Sequence, residues 1–216
     1  MTLCAELYFS FRSPYSYLAV GRYRQICAEY DLAIALRVVL PIAIRDPDIL
    51  FTGNRAAPRY IMRDAFRVAE MQGIAMRWPR PDPVVQDLAS GKIAEEQPHI
   101  LRLCRLGQAA ARRGRGLEFA AEVAAVIWSG EVDDWHEGDH LARAAARAGL
   151  DFAELEAEAE REAAALDGEI AHNQQALEAA GHWGVPCLVF EGEPFFGQDR
   201  IEVALWRMQQ KGLARR

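Results

Sequence analysis

The first forty residues constrain the fold more than any other stretch. Residues 3–11 (LCAELYFSF) are dense in apolar and aromatic side chains, with Leu7, Phe9 and Phe11 on one face, and read as a strand. Ser13-Pro14 follows at once. A serine offers an N-cap, and a proline suits the first helical position, where its missing N–H has no partner to lose. A helix is therefore expected to open here and run to about Tyr30, with Tyr17, Leu18, Tyr23, Ile26 and Cys27 at roughly helical spacing. Residues 33–40 (AIALRVVL) form a second apolar run, stopped by Pro41. Strand, long helix and strand make a βαβ unit, whose two strands are expected to be parallel.

The middle of the chain changes character. Six of the ten prolines lie between Pro41 and Pro83, marking irregular chain around one helix at about 57–72 that Gly73 ends. Beyond Pro83 the pattern is almost wholly helical: residues 97–113, 116–129, 139–148 and 151–180 are rich in Ala, Leu, Glu and Arg. β character returns at Cys187-Leu188-Val189-Phe190, a short apolar strand. The turn Glu191-Gly192-Glu193 joins it to a partner, Pro194-Phe195-Phe196-Gly197. Asp199 is then expected to cap a last helix reaching about Lys211. The order β-α-β, helices, β-β-α is that of a thioredoxin-like α/β fold with an inserted all-α domain. The expected division is a discontinuous thioredoxin-like domain at residues 1–45 and 181–216, and a helical insert at 46–180.

Charge and cysteine usage exclude several functions. With 25 Lys and Arg against 31 Asp and Glu, the net charge is −6, which gives no electrostatic footprint for nucleic acid. Between Asp151 and Glu169, eight carboxylates face one arginine, which reads as the solvated face of a helix. The cluster Arg102, Arg105, Arg112, Arg113 and Arg115 reads first as a helix's solvated face, with a carboxylate-binding or subunit-contact role as the alternative. No apolar run approaches the length of a membrane span, and MTLCAELYFSFR has neither the basic start nor the cleavage site of a secretory leader, so a cytosolic protein is expected. Cys4, Cys27, Cys104 and Cys187 form no C-x-x-C and no zinc-type spacing. HEGDH at His136–His140 fits H-E-x-x-H, but Gly138 breaks the helix that motif needs and Asp139 reads as the cap of a helix beginning at 140; no metal is expected.

Two segments carry chemistry. Ser13 stands where a strand ends and a helix begins, a place where unpaired amides and the helix dipole favour an anion, a thiolate included. Read alone, Ser13 is first of all an N-cap, with Pro14 at the first helical position. Gly184-Val185-Pro186-Cys187 places a proline at the start of a strand, and in a thioredoxin fold such a proline is typically cis and faces the mouth of the first helix.

FRSPYSYLA, Gly53-Asn54-Arg55 and GVPCLVFEGEPFFGQDR resemble the DsbA-like branch that contains 2-hydroxychromene-2-carboxylate isomerases and kappa-class glutathione transferases. In dithiol oxidoreductases of this fold the helix mouth carries C-x-x-C. Here Ser13 and Ser16 hold those positions, which excludes dithiol–disulfide exchange by this chain. The resemblance implies a bound glutathione that supplies the thiol, with Ser13 as the catalytic residue steadying the thiolate. It implies that Val185, next to Pro186, pairs with the tripeptide backbone, and that Gln198 and Asp199 hold its γ-glutamyl end. Asn54 and Arg55 match a segment near thiol and substrate. The implied activity is isomerisation of a small unsaturated keto acid, in a homodimer. A glutathione transferase or peroxidase, or a binding protein without catalysis, stays open. Two departures stand out: Cys187 replaces the usual threonine and reads as a small core residue, and Trp78–Ile100 does not match the isomerase segment that lines the substrate.

Overall fold

The computed structural model describes residues 2–46, 56–87 and 92–216, and side chains from Arg59 onward in the helix that begins at Ala56. Strand β1 (Leu3–Phe9), helix α1 (Pro14–Glu29) and strand β2 (Leu32–Val38) open the chain, followed by a helical turn, α2 (Ile42–Arg45), and by α3 (Ala56–Gln72). The helical block continues with α4 (Pro98–Arg112), α5 (Gly116–Trp128), α6 (His140–Arg147), α7 (Phe152–Arg161) and α8 (Ala163–Ala179). Strands β3 (Cys187–Phe190) and β4 (Glu193–Phe196), a 3₁₀ turn (Gln198–Arg200) and α9 (Ile201–Gln210) close it.

Among the described residues the sheet has four strands in the order β2-β1-β3-β4. β1 and β2 are parallel in register Leu3 to Leu32 through Phe9 to Val38, while β1–β3 and β3–β4 are antiparallel. This is the thioredoxin-like arrangement with a helical insertion. Leu7, Phe9 and Phe11 are buried in one large apolar cluster that also takes Tyr23 and Ile26 from α1, Leu103 and Leu106 from α4, and Phe119, Val123 and Trp128 from α5. Burying one such side chain fully is worth roughly 1.5–3 kcal/mol. α4 approaches the sheet closely because Gly107 has no side chain: a Cβ there would sit 2.6 Å from the Phe11 ring. Behind the same strand end, the indole N–H of Trp128 donates to the Phe11 carbonyl at 2.9 Å. A smaller cluster on the other face joins Tyr8, Val39, Leu177, Cys187 and Val189.

The structure departs from the sequence expectations in three places. The stretch 151–180 is two helices, broken at Glu162 (φ −110°, ψ 23°), where neither proline nor glycine marks the break. Asp199 caps nothing: Gly197 turns the chain with φ 101°, residues 198–200 tighten into the 3₁₀ turn, and the Asp199 carboxylate pairs with Arg200 at 3.1 Å. The acidic and basic runs are not separate solvated faces. Arg102 pairs with Glu156, Arg105 with Asp167, and Arg112 with Glu158, Glu162 and Glu169, so the two runs form one seam between α4 and the α7–α8 pair. His140 is the first residue of α6, which leaves His136 and Glu137 ahead of the helix.

Candidate active site

α1 begins at the C-terminal end of β1, and its capping geometry follows from the local sequence. Ser13 is extended (φ −89°, ψ 117°), Pro14 occupies the first helical position, and the Ser13 Oγ accepts from the Ser16 N–H at 3.2 Å. The Ser13 hydroxyl points across the molecule: it donates to the Val185 carbonyl at 3.3 Å, 172 residues away. The Val185–Pro186 bond is cis. At the end of β4 the Gly197 N–H donates to the Pro186 carbonyl at 2.8 Å, which ties the Gln198–Arg200 turn to the same place. Gln198 Oε1 accepts from Gln72 Nε2 on α3 at 3.3 Å. Ser13, Val185, Pro186, Gln198 and Asp199 are thus joined through the mouth of α1. Asn54 and Arg55 lie outside the described residues.

A ring of side chains that carries no sequence motif surrounds this point. Tyr15 on α1 donates its hydroxyl to Asp64 of α3 at 2.8 Å, and Tyr60 donates to the same carboxylate at 3.3 Å. Burial first, and then the bond to Asp64, push the Tyr15 hydroxyl well above its ordinary range, so it stays protonated. On the other side, His182 stacks on Phe196 with centroids 4.1 Å apart and accepts from the Gly184 N–H at 2.8 Å. Burial lowers the His182 pKa, keeping its imidazole neutral beside the Gly184–Pro186 turn.

Arg12, one residue before Ser13, is fixed by residues 78–86. Its guanidinium gives two bonds to Asp82, at 3.1 and 2.9 Å, and lies 5.0 Å from the Trp78 ring. Asp82 also accepts from the Trp78 indole (3.3 Å), the Val84 N–H (2.9 Å) and Gln86 (3.0 Å). Five donors on one carboxylate make Asp82 the hub that fastens residues 78–86 to the strand end carrying Ser13. Spacing along the chain gives no sign of this, since Arg12 and Asp82 are seventy residues apart. Cys187 is buried against Tyr8 and Leu177, and burial pushes its thiol up to about 11, so it is an inert core residue at neutral pH.

The DSBA-like thioredoxin domain model matches residues 5–209. This chain belongs to the DSBA-like thioredoxin-domain family. Among solved structures, this DSBA-like protein is similar to a 2-hydroxychromene-2-carboxylate isomerase, with a TM-score of 0.66, 20% identity and 97% of each chain covered. It is also similar to a probable DsbA oxidoreductase from Streptomyces coelicolor, with a TM-score of 0.64 and 18% identity over 96% of this chain and 89% of the other. A third similar structure is the cytosolic disulfide reductase DsbM of Pseudomonas aeruginosa with GSH, with a TM-score of 0.59 and 17% identity over 97% of this chain and all of the other. No curated protein matches the sequence significantly. At these identities the likeness is one of fold. Within that fold, Ser13 and Ser16 leave the helix mouth of this DSBA-like chain without sulfur. Among the described residues no helix is long and apolar enough to cross a membrane, and no cluster of His, Cys, Asp and Glu is arranged to hold a metal ion.

Proposed function

We propose that this chain is a glutathione-dependent isomerase of a small unsaturated keto acid of the 2-hydroxychromene-2-carboxylate type, acting in the cytosol. The observation that carries the reading is the meeting of Ser13, at the mouth of α1, with the carbonyl before cis-Pro186, at a helix mouth where serines hold both C-x-x-C positions. With no thiol at the helix mouth and Cys187 buried, the thiol this chemistry needs comes from a ligand.

The residues present fit that ligand. The Ser13 hydroxyl holds its proton on Val185 O by a long bond, 3.3 Å, and is free to turn it toward an anion at the helix mouth. The Tyr15 N–H, in the first turn of α1, has no acceptor within the helix, and the helix dipole favours negative charge at the same point. Among the described residues the Val185 N–H has no partner, which leaves it open to an added extended backbone. Asp199, exposed at the 3₁₀ turn, suits an ammonium group, and the neighbouring amides suit a carboxylate. Glutathione, when bound, supplies the thiolate that adds to a conjugated double bond and departs after rotation about it. The work of the chain is to hold that sulfur charged: lowering a thiol pKa by ~2 units corresponds to ~2.7 kcal/mol. Ser13 does so as a hydrogen-bond donor in a preorganised site.

The test is a calorimetric titration with glutathione on the wild type and on Ser13→Ala, with a thiolate absorbance titration of each complex. The wild type should bind and lower the thiol pKa, and the variant should bind and leave it unshifted. Absence of binding at millimolar glutathione would remove the isomerase reading while leaving the fold intact.

A further inference from the structure

Apolar side chains exposed singly are ordinary on a protein surface, whereas contiguous ones mark places where something binds. Tyr60, Phe66, Trp183, Phe196 and Trp206 are the exposed aromatic rings among the described residues. Of these, only Trp183 and Phe196 are in ring contact with each other, with centroids 6.3 Å apart. His182 stacks on both: 5.6 Å from Trp183 at 17°, and 4.1 Å from Phe196 at 21°. The three rings make one aromatic shelf, in which Trp183 is 45% and Phe196 40% exposed.

The shelf is held from behind. The Gly184 N–H donates to His182 Nδ1 at 2.8 Å. A Cβ at Gly184 would sit 2.4 Å from the Phe196 ring, so that ring lies over the bare Gly184 backbone. Arg45 of α2 donates from Nη2 to the Trp183 carbonyl at 2.8 Å and from Nε to the Leu40 carbonyl at 2.7 Å, which ties the shelf to the chain just past β2. The same bonds place it beside the mouth of α1. Trp183 comes two residues before Val185, whose carbonyl meets Ser13. Two peptide steps of about 3.8 Å bound that Cα separation at about 7.6 Å. Phe196 lies opposite Cys187 in the β3–β4 pair, and the N–H of the next residue, Gly197, is bonded to Pro186. The rings therefore border the Val185–Pro186 turn.

We propose that Trp183, His182 and Phe196 are the residues that select the electrophile, by holding its flat conjugated part beside the thiolate at Ser13. The role rests on the glutathione reading, since without a thiolate at Ser13 the shelf would bind a flat acid and do no chemistry. Contact between aromatic rings is worth roughly two- to tenfold in affinity beyond what the covered area gives. A saturated ring of the same size covers that area without the gain, so the shelf discriminates flat acids from puckered ones. Turning one end of a molecule about a bond also requires the other end to be held, and a stacked ring is a held end.

The probes are trans-cinnamate and trans-3-cyclohexylacrylate, which share a carboxylate and a double bond and differ in whether the ring is flat. Neither is a strong acceptor for a thiol, so both report binding alone. Their dissociation constants for the full chain are measured by ligand-observed NMR, with and without millimolar glutathione. The wild type should prefer cinnamate by roughly two- to tenfold. Trp183→Ala and Phe196→Leu should each bring the ratio toward one, and Trp183→Phe should keep most of it. Melting of each variant shows that the turn still folds; Trp183 stands nearly half in water, so its replacement should hardly move the midpoint. Equal affinity for the two acids in the wild type overturns the proposal. So does a preference that survives both Trp183→Ala and Phe196→Leu, or the absence of binding by either acid at millimolar concentration. Glutathione titrated alone separates the two readings. A cinnamate preference that depends on Trp183, with no binding of glutathione, removes the isomerase reading and leaves the shelf; glutathione binding without the preference does the reverse.

Discussion

Along the seam between α4 and the α7–α8 pair, Arg102, Arg105, Arg112 and Arg113 each meet at least one carboxylate. Around the mouth of α1 the polar groups are held loosely: Ser13 reaches Val185 O at 3.3 Å, Gln72 reaches Gln198 at 3.3 Å, and the buried hydroxyls of Ser10 and Ser16 have no partner among the described residues. A buried polar group without a partner costs about 1–3 kcal/mol. Ser10 and Ser16 carry that cost close to the helix mouth to which the proposed function assigns a ligand.

The sharpest way to break that contrast is at Trp128, which belongs to the helical block and yet carries the Phe11 carbonyl two residues before Ser13. Trp128→Ala should lose about 3–5 kcal/mol in urea unfolding, as expected for a fully buried large side chain. Trp128→Phe should lose less, since it keeps most of the apolar volume and leaves one carbonyl unpaired. On the proposed function, a mouth independent of the block behind it would leave the pKa shift of an added glutathione's thiol untouched in Trp128→Phe; we expect the shift to shrink.

Asp82 comes next. Its pair with Arg12 is only about 15% exposed on each side, and removing one partner of such a pair leaves a charge without compensation. Asp82→Ala should therefore cost about 3 kcal/mol, measured by thermal or urea unfolding, and it should loosen residues 78–86 from the strand end. A loss no larger than that of an exposed ion pair would show that the segment is held by its aromatic contacts instead.

How much of this was legible in the sequence depends on range. Local signals read well: Ser13-Pro14 opens α1 where expected, the apolar runs become β1, β2 and β3, and Gly73 follows α3. The placement of Pro186 opposite Ser13 was legible only through topology, because nothing local distinguishes a cis from a trans proline. The Arg12–Asp82 hub and the Tyr15–Asp64–Tyr60 cluster had no periodic or motif signature, since their partners come from different elements. That the two charge runs meet is silent in the sequence, because a helical wheel shows which residues are polar, and not which polar residues meet. The break at Glu162 is likewise silent in a run of alanine and glutamate.

A smaller effect follows from ionisation. Burial pushes Cys27 and Cys187 up to about 11 from 9.0, and burial followed by Glu6 pushes Tyr8 up to about 12 from 10.0. In each case the folded state holds the proton more tightly than the unfolded chain. Their contribution is therefore complete below pH 9 and is lost as pH rises through 9 to about 11 or 12. Unfolding midpoints should be flat from neutral pH to 9 and decline above it. Thiol labelling of the native protein at pH 8 should modify exposed Cys4 and spare Cys104 and Cys187. Fast labelling of Cys187 would mean that β3 opens readily, and would place looseness beyond the mouth of α1.

The seam itself should yield the smallest change of all, although it holds the densest set of ion pairs. Arg112 touches three carboxylates, Glu158, Glu162 and Glu169, and its side chain keeps 27% of its surface in water. Surface pairs return little because solvent screens them and two long side chains must be held still. Arg112→Gln should cost under about 1 kcal/mol at low salt, and the difference from wild type should fade near 1 M salt, where the Debye length is about 3 Å. The three glutamates then repel one another, so the variant should gain stability with salt while the wild type changes less. A salt-independent loss of several kcal/mol would mean that the network acts as a buried unit. The seam would then be a rigid frame that sets the position of α4, and through Gly107 and Phe11 the position of Ser13.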